Sequence, residues 1–389
     1  MVGLVGVVGA AVAYLAWGGE PSGRDPAGQQ PAATTASARP VLTGTPFPMG
    51  PPTAVTAIGA VGSDPREPVV PPDGSAVYVP IHDSNSVAVI DPVTGTRTAT
   101  IRLGARSTFP GAAAVRPDGS AIYVVDFFGT VSVIDPDSNT VTSTVRLDAG
   151  QLRAGVVLPD GSALYVPAAD STLAVIDLDT NEVIERIPVG YFPEYPVVRP
   201  DGSAVYVPNW GEDTVSVIDT GTNEVTATIP VGDYPRKPAV LPDGSAVYVP
   251  NIRDGTVSVI DTVANTVVAT IPVGDAPGSA VALPDGSAVY VPNNEDGTVS
   301  VIDTNRNTVI ETITVGVGPR LPLVLPDGSA VYVPNDVDGT VSVIDPATKS
   351  VTATVEVGAG PRQPVALPDS SAVIVPNSDD GTVTVLGRH

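Results

Sequence analysis

The chain has 389 residues, 42 acidic against 19 basic, and a net charge of −23. That balance argues against nucleic acid or an anionic lipid surface as a partner held by charge. Cysteine is absent and only His82 and His389 are histidines, so disulfides and thiolate chemistry are excluded and no His-based metal site, triad or general base can be assembled.

Residues 1–19 are expected to form a signal peptide or an N-terminal membrane anchor. Val2 to Trp17 is an uncharged run of 16 residues, close to the apolar region of a signal peptide and shorter than the roughly 20 residues of a comfortable membrane span. No Lys or Arg precedes it, and Gly3, Gly6 and Gly9 dilute it. Residues 20–52, rich in Pro, Ala, Gly and Thr, follow as a flexible linker. This segment is the only expected route to a membrane.

Residues 53–387 carry an internal repeat. The Asp of a Pro-Asp-Gly-Ser turn recurs at Asp73, Asp118, Asp160, Asp201, Asp243, Asp285 and Asp327, and as Pro-Asp-Ser-Ser at Asp369, with spacings of 45, 42, 41, 42, 42, 42 and 42. Such a period is the mark of a repeat architecture. Each unit alternates with period two, as in Ala288 to Pro292, Thr298 to Ile302 and Thr308 to Ile313, and is rich in β-branched residues, which predicts strands. The Asp-Gly and Asn clusters between them are turn chemistry. A short apolar run before each Pro-Asp-Gly, such as Ala280 to Leu283, supplies a fourth strand. Four strands in about 42 residues is the dimension of a β-propeller blade.

The last unit ends after its third strand, Thr382 to Leu386, while Thr53 to Gly62 reads like an unattached fourth strand. The expected fold is therefore an all-β propeller of eight four-stranded blades, closed by an N-terminal strand that completes the last blade and leaves no open edge. Seven blades is the alternative if one unit is degenerate, and the second, with three extra residues, is the least regular.

The repeat resembles the YVTN-type propeller family through Tyr206-Val207-Pro208-Asn209 and its equivalents at Tyr248, Tyr290 and Tyr332, and through runs such as Thr256 to Asp261 and Ala269 to Gly274. The resemblance implies a surface-layer or extracytoplasmic protein with no single activity, and a fold by itself licenses no function. Pro stands where that family has Thr, and its missing donor is expected to end strand pairing there. Some propellers hydrolyse lactones or hold quinone or haem cofactors, but no His or Cys ligand set exists for them here, so no cofactor and no metal is expected. Fragments such as Asp336 to Gly339 and Asp379 to Gly381 resemble calcium loops without their full spacing.

Function is then sought where the copies differ. Seven residues before the turn Asp stand Arg66, Gly111, Arg153, Glu194, Arg236, Gly278, Arg320 and Arg362. The topology puts these at one mouth of the central channel, where five arginines suit a small anion or an acidic side chain. The alternative is that each pairs with nearby loop acids such as Asp254, Glu295, Asp296, Asp338, Asp379 and Asp380. Phe109, Phe127, Phe128, Tyr191, Phe192, Tyr195, Trp210 and Tyr234 fall in loops of the same face, and loop aromatics on one sector resemble the anchors of a protein or glycan interface. Their alternative is that the loops pack on one another. The expected function is a non-enzymatic, exported or membrane-anchored interaction platform for a protein or glycan partner; an extracytoplasmic enzyme or small-anion-binding protein using the arginine mouth is the alternative.

Overall fold

The computed structural model describes residues 50–387 apart from 52 and 105–108. The expected signal or anchor segment, and nearly all of the linker, lie outside the described residues. No helix among the described residues is long and apolar enough to cross a membrane.

Alternating β-branched residues bounded by Asp-Gly and Asn turns produce antiparallel strands throughout. Eight sheets are arranged as blades, numbered here in the order of their Pro-Asp-Gly-Ser turns. Blade five is typical: inner strand Ala239–Val240, then Ala246–Asn251, Thr256–Asp261 and outer strand Thr266–Pro272. Blade one has three named strands, with its inner edge reduced to the bridges Val69↔Tyr78 and Pro65↔Ile81. The second unit, despite its insertion, forms a complete blade whose inner strand Pro110–Val115 is the longest of its kind, so the seven-blade alternative is excluded. The N-terminal strand Ala54–Ala60 pairs with Thr382–Gly387 from Ala54↔Gly387 to Ala60↔Thr382, closing the ring as the sequence implied.

The two middle strands of each blade are buried on both faces, as in Ala288–Asn293, whereas the outer strand Thr308–Thr314 keeps most side chains in solvent. Blades pack face to face through these middle strands. Tyr290, for instance, clusters with Val331, Val333 and Ile344 of the next blade. The tyrosine hydroxyl reaches the outer turn of the following blade: Tyr165 donates to Asn223 Oδ1 at 2.5 Å and Tyr248 to Asn307 Oδ1 at 2.6 Å. Such a ring fills an interblade gap while its polar tip finds a partner in the next blade.

Two residues of the Tyr-Val-Pro-Asn stretch have distinct tasks. Asn293 is fully buried, donates from Nδ2 to Thr298 Oγ1 and Ser300 Oγ at 2.9 Å each, and accepts the Gly274 N–H at 3.1 Å. A Cβ on Gly274 would lie 2.6 Å from Asn293 Cγ, which accounts for the Val-Gly that follows most outer strands. The proline does not end pairing, contrary to expectation: Pro208↔Val215 is followed by Asn209↔Thr214. In an antiparallel strand the donor and acceptor of one residue face the same neighbour. At Pro208 that neighbour is the inner strand, whose ladder is already interrupted; the carbonyl alone is used, accepting the Glu194 N–H at 2.8 Å.

Candidate functional site

Each outer strand leads through a crossing loop to the next inner strand, and this loop opens on the same face as the loop between the second and third strands. The backbone N–H groups of Arg66, Arg153, Glu194, Arg236, Gly278, Arg320 and Arg362 all donate to the proline carbonyl of the adjacent strand, at 2.7 to 3.0 Å. The sequence spacing therefore corresponds to one structural level, at the channel mouth.

The charges at this level are shared unevenly. Arg66 pairs with Asp64 at 2.5 Å and Arg153 with Glu194 at 3.5 Å. Arg320 donates from both Nε and Nη2 to Asp336 Oδ2, at 3.0 and 2.5 Å, and Arg362 lies 3.9 Å from the same oxygen. Among the described residues the Arg236 side chain makes no hydrogen bond or ion pair; burial holds it below the usual guanidinium range, against the attraction of Glu194 in the neighbouring blade. The loop acids suggested as partners are not used in this way. Asp254, Asp296, Asp338 and Asp380 instead accept backbone N–H groups of Asp233, Asp275, Val317 and Ala359, bracing the loops.

One residue further along the inner strands lie Glu67, Tyr195 and Lys237, exposed by 2%, 4% and 6%. Burial pushes Glu67 well above the usual carboxyl range, against the attraction of Lys237, Arg66 and Arg362. Lys237 is brought down to about 8 by burial, opposed by Glu67. These two belong to blades one and five of eight, so their attraction spans the channel and floors the arginine mouth. Tyr195 was expected among the loop aromatics. It is instead a floor residue, packed with Ala112 and Ala154, because a Pro-Glu-Tyr-Pro stretch starts the inner strand. Glu67 and Lys237 were not singled out from sequence, although both follow a ring arginine in Pro-Arg-x-Pro and stand out against Ala154 and Leu321 at the equivalent position.

The remaining aromatics form two clusters rather than one sector. Phe109 lies 5.8 Å from Phe128, which meets Phe127 edge-on at 5.2 Å, and His82 joins this group at 4.7 Å from Phe109. In the other, Tyr191, Phe192, Trp210 and Tyr234 run in series at 4.1, 5.9 and 4.5 Å, the last pair stacked, with Arg253 capping the Tyr234 ring at 4.8 Å. Phe109, Phe128 and Tyr191 are exposed by 42%, 58% and 49%. The loops do pack on one another, and they still present aromatic edges to solvent. Asp64, His82 and Asp83 offer three ligand atoms within 4.8 Å of one another, enough for a metal ion in geometry, but Arg66 already occupies Asp64.

Three of these aromatics hold unusual backbone. Phe109, Phe192 and Tyr234 have φ of 60°, 53° and 58°, and at the same loop position blades seven and eight carry Gly318 and Gly360. A bulky residue there costs on the order of 1 kcal/mol relative to glycine.

Among solved structures the chain is similar to the Kuenenia stuttgartiensis hydrazine synthase, with a TM-score of 0.60 and 25% identity, over 72% of this chain and 95% of that one. No curated protein matches it significantly. The family model described as outer membrane protein assembly factor BamB matches residues 83–355, well over half of a chain that folds as its β-propeller repeats require, and the protein belongs to that family.

Proposed function

We propose that this protein is a non-enzymatic scaffold of the cell envelope, which docks a protein or glycan partner on the loop face of blades two to five. The observation that carries the reading is the strain at Phe109, Phe192 and Tyr234. At this left-handed position blades seven and eight carry Gly, and blades one and six the small Asp64 and Ala276, so the backbone gives no reason for a bulky aromatic there. Aromatic side chains held there against a backbone cost are explained by what they touch outside the chain. The half-exposed series from Tyr191 to Tyr234 has the composition of interface anchors, and buried Trp210 Nε1 has no partner among the described residues.

The family description names an assembly factor of the outer membrane, which supports a protein partner and an extracytoplasmic place. The apolar run Val2 to Trp17 and the resemblance to YVTN-type surface propellers point the same way. The test is affinity capture from an envelope extract with residues 50–389 as bait, comparing the natural chain with Phe192→Gly and Trp210→Ala. The glycine variant should be as stable as the parent or more so, by up to about 1 kcal/mol, and yet lose the partner. Retention of the same partner by both variants would refute the docking face.

A further inference from the structure

The channel mouth has features that docking on the aromatic loops does not use. Six cationic groups (Arg66, Arg153, Arg236, Arg320, Arg362 and Lys237) converge on four carboxyls, Asp64, Glu67, Glu194 and Asp336. The surplus is positive in a chain whose net charge is −23. Asp336 serves Arg320 and Arg362 together, and Arg236 is left without an ion pair. Burial also holds Glu67 and Glu194 above the usual carboxyl range, which weakens the negative side further. The buried donor Arg66 Nε finds no partner among the described residues, while Glu67 Oε2, Glu194 Oε2 and Gln363 Oε1 are acceptors in the same position. Leaving buried donors unpaired is costly, so a fixed cluster of this kind is more economical when something else completes it.

We propose that the mouth is a binding site for a small multivalent oxyanion, a compound carrying two or more carboxylate or phosphate groups, held chiefly by Arg236 with Arg66, Arg320 and Arg362. The guanidinium groups enter from four different blades, so a ligand with several anionic groups meets more of them at once than chloride can. Guanidinium forks match the paired oxygens of carboxylate and phosphate alike. Gly111 stands at the equivalent ring position of blade two, where an added Cβ meets nothing within 4 Å among the described residues. Depth is limited by the floor, since the buried side chains of Glu67, Tyr195 and Lys237 close the base.

Titration calorimetry at constant ionic strength, with inorganic pyrophosphate and with citrate as probes, tests this site. At least one should bind saturably with one site per chain, and the probe that binds separates phosphate from carboxylate chemistry. Arg236→Gln should weaken binding by about tenfold or more, the loss of a charged hydrogen bond in a buried setting. Gly111→Asp keeps every arginine and adds a negative charge to that ring position, so it should weaken binding even if Arg236→Gln were to fold poorly. Trp210→Ala should leave it unchanged, which separates this site from the docking face. Absence of saturable heat with both probes, or equal affinity in the parent and the two ring variants, would overturn the proposal.

Discussion

On one face of the ring the blades end in nearly the same two turns; on the other, neighbouring blades differ in almost every loop. The uniform face is built from Asp side chains that fold the chain back on itself. Asp285 Oδ1 accepts the Ser287 N–H and hydroxyl at 2.9 and 2.7 Å, and Asp118, Asp160, Asp201, Asp243 and Asp327 repeat the arrangement. The variable face is fixed only at its base, by the buried asparagines. Beyond that base it carries strained aromatics in blades two, four and five, a charged floor, and acid-braced loops in blades five to eight. Stability is thus concentrated in what the repeats share, and binding chemistry in what they do not.

The largest expected effect comes from bringing the charged floor to the standard of the uniform face. Removing one partner of a buried charge pair leaves the other uncompensated, at a cost of roughly 3–5 kcal/mol, whereas replacing both by apolar or neutral groups of similar volume is close to neutral. Glu67→Ala should therefore lower the denaturation midpoint sharply, and the Glu67→Gln, Lys237→Met double variant should recover most of the loss. Urea unfolding of the single and double variants measures this. If Glu67→Ala were to cost less than about 1 kcal/mol, the attraction across the channel would have no structural weight.

The same contrast explains what could be read from the sequence. The period of the turn Asp, the alternation of β-branched residues and the orphan strand at Thr53 to Gly62 were enough for blade number and ring closure, since each reflects backbone geometry that repeats eight times. The ring arginines were legible because their spacing to that turn is constant. Tyr195 was misplaced because its neighbours in sequence, Tyr191 and Phe192, are loop residues, and the boundary at which a loop becomes an inner strand leaves no hydrophobic signal. Glu67 and Lys237 escaped notice for a related reason. Their mutual attraction links blades one and five, and no local pattern encodes an influence across a channel.

A defect in the uniform face sharpens the comparison from the other side. Tyr290 is fully buried, and its hydroxyl has no partner among the described residues, whereas Tyr165, Tyr206 and Tyr248 each reach an Asn in the following blade. At the equivalent position after Tyr290 stands Lys349, in left-handed conformation with φ of 54°. Asn accepts that conformation more readily than Lys and supplies the missing acceptor. Lys349→Asn should stabilise the protein by about 1 kcal/mol, with no change in partner or anion binding. A Tyr290→Phe background should remove most of the gain, which thermal unfolding of the four variants can establish.

The smallest effect separates the two faces by pH. Serine donors hold Asp118, Asp160, Asp243 and Asp285 below the usual aspartate range in the folded protein. A carboxyl lowered by folding contributes stability above its unfolded pKa, and that contribution is lost as pH falls through the folded value. Glu67 and Glu194 are raised by burial, so their contribution has the opposite sign: it is present below the unfolded pKa and disappears as pH rises through the folded one. Acidification towards about pH 4, the range of free carboxyls, should therefore weaken the turns while easing the channel floor. Replacing Asp285 by Asn should flatten the acid limb of the stability profile by a few tenths of a kcal/mol, these turns being largely exposed. Glu67→Gln should steepen it, because a group that gains from protonation has been taken away. Parallel shifts in both variants would mean that the two faces do not differ in how folding sets their protonation.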